Sequence, residues 1–309
     1  MKNLVVSVII TTKNEEKNIA DCLRSIKFQS YSADRTEIIV VDNNSEDGTK
    51  QIAKKYGARV FNKGPERSAQ RNLGINKSKG KYIMYLDADM ILSSSVIERS
   101  VERLEKGDAV ALYIPEVVLG NSYWNKARRF ERSFYDGTAI DCVRFITKDV
   151  FEQVGGFDLS LTGPEDWDFD KKIRGKGKVE VLDAYDFKEI NDKLAEFAGG
   201  GTSNLVKTLA GLSPKAVVYH NEAKFNVKKY FEKKQYYSKS FSSYINKWGK
   251  NEPDIKKQFG FWYRYFGVFI EDGKWKKLLE FPHLVLGMFS LRFLVGISYM
   301  NRRIILKKL

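Results

Sequence analysis

Five acidic and polar signatures stand in order along the first 220 residues: Thr12-Lys13-Asn14-Glu15, Val41-Asp42-Asn43-Asn44-Ser45, Asp87-Ala88-Asp89, Glu165-Asp166-Trp167-Asp168, and a lone histidine, His220. Each closes an apolar, strand-like run or opens a loop. Asp87 and Asp89 are spaced so that extended chain points both carboxylates to one side. Oxygen donors of this kind suit Mg²⁺ or Mn²⁺, ions that bridge one or two carboxylates to substrate phosphates. Asp166 follows a Gly-Pro turn, where a carboxylate can take a proton from an attacking hydroxyl. The same acids also favour the N-terminus of a helix over 166–174, and Asp168 and Asp170 read as that plainer case. His220 can complete a metal shell at a strand end or serve as a hydrogen-bonded edge histidine. Arg67 and Arg71 can meet phosphate or base, or form a solvated face. Together the signatures describe a site that binds a metal-chelated diphosphate and deprotonates a hydroxyl.

The elements that must position these residues are strands alternating with helices. Residues 4–11, 37–41, 59–61 and 82–86 read as short apolar strands, and 19–30, 46–56 and 65–77 as helices. That alternation predicts βαβ units and a mostly parallel sheet, with ligands at the carboxyl ends of the strands. Asp42 and Asp87 fall at such ends. No G-x-G-x-x-G follows the first strand and no G-x-x-x-x-G-K-[ST] occurs, so neither a dinucleotide fingerprint nor a P-loop is signalled. Cys22 and Cys142 are too far apart in sequence to read as a disulfide framework, and a reducing, cytosolic setting is expected.

Resemblance to a known family enters through these motifs. Over about residues 5–224 the chain resembles a family 2 glycosyltransferase of the GT-A fold, an inverting enzyme using nucleotide-diphospho-sugars. Thr12, Asn14 and Glu15 lie in the segment that in this family holds the nucleobase, with Thr11 and Lys13 replacing its proline and aromatic. Val41–Ser45 matches Val-Asp-Asp-Gly-Ser, which places Asp42 on base or ribose. Ala69 to Gly74 matches Ala-Arg-Asn-x-Gly with Gln70 as an extra residue, so Arg71-Asn72 carries the match. Asp87-Ala88-Asp89 matches the D-x-D motif, with Asp87 toward ribose or metal and Asp89 on the metal. The Gly155-Gly156-Phe157-Asp158 turn matches an acceptor-side turn. Glu165-Asp166 matches the Glu-Asp pair, with Asp166 as general base, and His220 matches a late histidine that reaches the metal. The resemblance implies Mn²⁺ or Mg²⁺ and a hydroxyl acceptor; the basic aromatic region after residue 225, if it lies on a membrane, would suit a glycan or polyprenyl acceptor carried on lipid. No Gln-x-x-Arg-Trp motif follows; Gln258 precedes Phe-Gly-Phe-Trp, which points to transfer of a single sugar.

Residues 225–309 have another character. They hold 18 Lys and Arg against 6 Asp and Glu, and 20 of the 41 aromatics. The expected organisation is therefore a 1–224 GT-A catalytic domain, α/β with a mostly parallel sheet flanked by helices, followed by a 225–309 basic, aromatic-rich helical appendage. Aromatic and basic residues recur at helical spacing over 227–248. Residues 281–300 form an apolar stretch of spanning length, at ~20 residues, but Arg292 at its centre disfavours a span. Helices lying in the interface of an anionic membrane are expected, peripheral or monotopic on its cytoplasmic face. The alternative is a helical subdomain packed on the body. Residues 183–215 read as an insertion without an assignable role. Two competing readings are a GT-A nucleotidyltransferase and a nucleic-acid-binding protein using the basic tail. The first lacks the Gly-rich basic loop such enzymes carry after the first strand. The second lacks any reader motif, so no nucleic-acid partner is expected.

Overall fold

The computed structural model describes residues 4–196, 205–213, 215–222 and 226–306. In chain order the strands are β1 (Val6–Thr12), β2 (Thr36–Asp42), β3 (Arg59–Asn62), β4 (Tyr82–Asp87), β5 (Met90–Leu92), β6 (Ala111–Tyr113), β7 (Glu116–Val118), β8 (Phe145–Thr147), β9 (Val179–Val181) and β10 (Val218–His220). A seven-stranded sheet runs β3-β2-β1-β4-β8-β6-β9, and a three-stranded sheet runs β5-β10-β7. The pairs among β1 to β4 are parallel, while β8 runs antiparallel to both its neighbours. The first four strands fall close to where the sequence places them.

The apolar run of β1 is buried on both faces, as a central parallel strand requires. Val8 and Ile10 join Val40, Met84 and Leu86 beneath the helix Ile19–Lys27. Ile9 joins Val41, Ile83 and Tyr85 on the other face, where Ile75, Phe169 and Ile173 come from the helices Arg67–Asn76 and Glu165–Arg174. Gly74 is small because it must be: a Cβ there would lie 2.4 Å from Ile9 Cγ2. That close approach seats the Arg67–Asn76 helix under the strand ends.

The unassigned insertion is a structural cover. Helices Phe187–Glu196 and Leu205–Leu212 place Ile190, Leu194 and Leu209 on Val117 and Tyr219 of the three-stranded sheet. Its triple glycine at 199–201 lies outside the described residues.

Beyond residue 225 the expected single helix over 227–248 is two. Val227–Tyr237 and Phe241–Trp248 are separated by a 3₁₀ turn at Ser238–Ser240. The Ser240 hydroxyl in that turn accepts a hydrogen bond from the Thr162 amide at 3.1 Å, a tertiary contact with the turn that precedes Glu165. Helix Pro282–Leu306 packs on helix Tyr123–Arg132, with Leu284 and Met288 joining Phe130, Phe134 and Phe269. Arg292 is buried here, with Nε 2.8 Å from Glu131 Oε1, and it donates to Tyr135 Oη and the Arg264 carbonyl. The charge at the centre of this apolar stretch is thus neutralised inside the protein. No described helix is long and apolar enough to cross a membrane.

Candidate active site

Parallel register brings the first signatures to one edge. Thr12 pairs with Asp42, and Thr11 with Asp87, so β1, β2 and β4 end in one layer. Asp42 is fully buried and accepts from the Ser45 amide at 2.7 Å and the Ser45 hydroxyl at 2.5 Å. Asn14 takes a left-handed conformation (φ 55°), which asparagine tolerates because its short side chain bonds locally. Its amide donates to Ser45 Oγ at 2.8 Å and its Oδ1 accepts from the Glu46 amide at 3.0 Å. The Glu15 amide donates to Thr49 Oγ1 at 2.8 Å. The loops after β1 and β2 are therefore laced into one rigid lip. Burial lifts the Glu15 carboxyl above its ordinary pKa; a hydrogen bond from Asn18 opposes the shift, and Asp89 and Asp87 add to it. The Thr12 hydroxyl oxygen is buried at this lip without a hydrogen-bond partner.

An arginine pair joins this edge to the Glu-Asp turn. Arg67 donates to Glu165 Oε1 at 2.7 Å and reaches Asp87 Oδ2 at 3.5 Å. Arg71 donates to Asp166 Oδ1 at 2.5 Å and reaches Asp87 Oδ1 at 3.4 Å. Arg71 is fully buried between the rings of Tyr85 and Phe157, at 4.9 and 5.1 Å. Placed this way it holds two carboxylates in position, where the sequence suggested contact with phosphate or base. Burial pushes the Asp87 carboxyl up, but Arg67, then Arg71, Arg144 and His220, prevail and hold it far below the usual carboxylate range. Glu165 is buried, and desolvation followed by its neighbour Asp166 raises its pKa.

Asp89 and His220 form the third part. Strand β10 runs antiparallel to β5, pairing His220 with Met90, one residue past Asp89. The Asn221 amide donates to the Asp89 carbonyl at 2.9 Å, and His220 Nε2 lies 3.1 Å from Asp89 Oδ2. Burial opposes the charge on His220, but Asp89 and then Glu222 and Glu116 push its pKa up to about 9. The other oxygen, Asp89 Oδ1, is buried with no partner. No three His, Cys, Asp or Glu side chains converge as a metal cage among the described residues. Once His220 gives up the proton that Asp89 holds on it, its ring nitrogen and the unpartnered carboxylate oxygen fit a divalent cation that draws its remaining ligands from water and phosphate. Asp87, by contrast, has both oxygens engaged by arginines.

The acceptor-side turn is clamped by Asn72. Its Nδ2 donates to the Phe157 carbonyl and its Oδ1 accepts from the Phe157 amide, each at 2.9 Å. Gly156 lies at φ 73°, and a Cβ there would sit 2.8 Å from Asn72 Oδ1, so no other residue fits without displacement. Asp168 and Asp170 are structural, as read from sequence: Asp168 takes Trp248 Nε1 at 2.9 Å and Asp170 takes Arg174 Nε at 2.8 Å.

Several contributors were not singled out from sequence. Gln70, visible only as an extra residue in a motif, donates to the carbonyls of Thr12 at 3.0 Å and Val41 at 2.6 Å and ties the two strand ends together. Helix Val227–Tyr237 adds a roof. The Tyr237 ring lies 5.1 Å from the Arg67 guanidinium, and Tyr236 Oη donates to Glu66 at 2.5 Å. On the same helix Lys233 Nζ lies 5.9 Å from the Tyr237 ring, and although burial opposes it, Tyr237 and then Asp89 raise the pKa of its amine.

Comparison with known proteins gives the family model and the fold this chain resembles. Residues 7–157 match the family model for glycosyl transferase family 2. Glycosyltransferase AglE of Haloferax volcanii is 31% identical over 194 residues, which are 56% of this chain and 62% of that protein. Glycosyltransferase GlyG of Streptococcus pneumoniae is 32% identical over 38% of this chain and 39% of its own. The chain thus spans less than two thirds of either relative. Among solved structures, a mannosyltransferase of Pyrobaculum calidifontis in complex with GDP-Man and Mn²⁺ aligns at TM-score 0.54 and 17% identity, covering 94% of this chain and 75% of that one. Residues 1–349 of Staphylococcus aureus TarS in complex with UDP-GlcNAc align at TM-score 0.51 and 17% identity, covering 93% and 80%. The fold is that of the GT-A glycosyltransferases.

Proposed function

We propose that this chain, whose residues 7–157 belong to glycosyl transferase family 2, moves one sugar from a nucleotide-diphospho-sugar to a hydroxyl acceptor, inverting the anomeric centre. The observation that carries the reading is the convergence of Thr12, Asp42 and Asp87 at one edge of the large sheet, joined through Arg71 to Asp166, with the Asp89–His220 pair brought up by the small sheet immediately after β4. Solved proteins of the same fold bind UDP-GlcNAc or GDP-Man, which supports a nucleotide-sugar donor.

In this reading the Asn14–Glu15 lip holds the nucleoside; Asp42, expected from sequence to touch base or ribose, is fully buried with both oxygens taken by Ser45 and braces that lip from beneath. Asp89 and His220 would hold Mn²⁺ or Mg²⁺. Such an ion, when bound, offsets the negative charge of the diphosphate leaving group. Asp166 accepts the proton of the acceptor hydroxyl as its oxygen bonds to the anomeric carbon and the bond to the diphosphate breaks. Arg71 fixes one Asp166 oxygen at 2.5 Å, which orients the carboxylate and leaves its second oxygen for the acceptor. Gly156 and Glu165 shape the acceptor side, Glu165 through its ion pair with Arg67.

The acceptor we favour is a glycan on a lipid carrier, at the cytoplasmic face of a membrane. Supporting this, Trp167, next to the base, packs against Phe241 and Phe259 of the basic aromatic region, at 6.3 and 5.9 Å. The two thiols, Cys22 and Cys142, are unpaired, which suits a reducing compartment. The test is incubation with a panel of UDP- and GDP-sugars, Mn²⁺ and polyprenyl-phosphate-linked acceptors, with mass spectrometry of the lipid product. A product one hexose heavier, absent with Asp166→Asn, supports the reading; donor consumption by the Asp166→Asn variant at the wild-type rate would sink it.

A further inference from the structure

Fourteen large apolar side chains are exposed among the described residues, and nine of them fall within 261–294. Scattered exposed apolar residues need no explanation; a contiguous set does. Contiguity is visible in ring contacts. Phe261 and Trp262 lie 5.7 Å apart, Trp262 and Phe266 5.5 Å, and Phe266 and Phe289 6.5 Å. From Phe289 the surface continues along helix Pro282–Leu306, where Leu286 (71% exposed) and Phe293 (63%) are seven residues apart and share a face. The inner face of that helix is committed to the body through Leu284, Met288 and Leu291, so the outer stripe is surplus to the fold.

Beside this stripe an open groove of about 620 Å³ is lined by Ile245, Ile255, Phe259 and Phe261, and rimmed by Lys250, Lys256 and Lys257. An apolar floor with amines at its lip matches an acyl chain below an anionic headgroup. Trp262, the most exposed of the aromatics at 75%, lines the same groove, as an aromatic at a bilayer interface would.

We infer that the Phe261–Phe266 segment, the outer stripe of helix Pro282–Leu306 and the Lys-rimmed groove form one docking surface for an anionic phospholipid bilayer. Charge argues for this occupant over the others. A second copy would bring together two regions that each hold 18 basic residues against 6 acidic ones. A nucleic acid offers phosphates but no hydrocarbon for Leu286 and Phe293. A bilayer surface offers both. The inference deepens the lipid-borne acceptor of the proposed function, yet it does not depend on donor binding and is tested apart from it.

The experiment is flotation of the full chain with vesicles of phosphatidylcholine alone or with 30 mol% phosphatidylglycerol, roughly the anionic range in which basic surfaces bind. The wild type is expected to float with the anionic vesicles and to blue-shift its tryptophan emission. The double variant Trp262→Glu/Phe293→Glu should lose more than tenfold in partitioning. Lys250→Glu/Lys256→Glu should lose most of its preference for anionic over neutral vesicles. Both should keep the wild-type melting temperature, since all four side chains are exposed, and both should keep any nucleotide-sugar thermal shift. Three results would overturn the inference: a wild type that stays with the soluble fraction, variants that partition as the wild type does, or a wild-type dimer in light scattering that Trp262→Glu dissolves, which would assign the face to a second copy. A wild type that floats but binds no donor leaves the docking surface standing and removes the proposed reaction.

Discussion

The strand-end edge and the helical region after residue 225 use charge in opposite ways. At the edge, acids and arginines are assembled against burial so that a few atoms stay unsatisfied: Asp89 Oδ1 and Thr12 Oγ1 are buried without partners. In the helical region the buried charge is met by opposite charge inside the protein, Arg292 lying against Glu131 and donating to Tyr135 and the Arg264 carbonyl, and what faces outward is apolar surface. At the strand ends the unpartnered oxygen of Asp89 lies beside His220, which fits a small polar ligand, whereas contiguous exposed apolar faces fit an extended surface. One chain carries both kinds of vacancy, in separate places.

The largest effect is expected at Asp166. Asp166→Asn should lower kcat by about 10²–10⁴-fold, the usual worth of a general base, with donor affinity changed only a few-fold in calorimetry. Equal losses in donor binding and turnover would make Asp166 part of the donor side instead. On the helical side, Arg292→Met removes the cation nearest the buried Glu131 carboxylate and leaves it the Tyr135 hydroxyl as donor. It should cost ~3–5 kcal/mol, read as a shift of the urea midpoint, without altering donor binding per folded molecule. A change under ~1 kcal/mol would mean the pair is not closed as described.

Acid titration sharpens the contrast further. Glu116 on β7 accepts from Arg144 Nε at 2.9 Å and NH2 at 2.6 Å. Burial raises its pKa, but Arg132 and then Arg144 bring it down to about 2 from 4.5. A depressed folded-state pKa contributes stability above about pH 4.5 that is lost as pH falls toward 2, about 3 kcal/mol at 1.36 kcal/mol per unit. Stability differences between the wild type and Glu116→Gln should therefore shrink across that window; a difference constant with pH would contradict the pairing. The smallest expected effect is at the acceptor turn. Gly156→Ala forces a Cβ to 2.8 Å from Asn72 Oδ1 at φ 73° and should cost ~1–3 kcal/mol. It should raise the acceptor KM more than the donor KM.

How much of this was legible in the sequence differs between the two regions for a physical reason. Parallel strands buried on both faces read as unbroken apolar runs, and the residue that ends such a run is by geometry at the ligand edge; Asp42 and Asp87 could be found that way. The motif spacing found Asn72 and Gly156 as well. What could not be read was which charge meets which. Arg71 was a candidate for phosphate, and only packing between Tyr85 and Phe157 turns it toward Asp166. Arg292 and Glu131 are far apart in sequence and carry no local signal of their pairing. The break at Ser238–Ser240 was likewise hidden, because periodicity on either side of it is intact and its contact with Thr162 is a tertiary one.

A metal-assisted nucleotide-diphosphate site at the strand-end edge is tested most directly by calorimetric titration of UDP- and GDP-sugars into the wild type and Asp89→Ala, each with and without Mn²⁺. One donor should bind the wild type, Mn²⁺ should tighten that binding at least tenfold, and Asp89→Ala should abolish the gain while melting as the wild type does. Binding that is equally tight in Asp89→Ala with Mn²⁺, or no binding of any donor to the wild type, would contradict it.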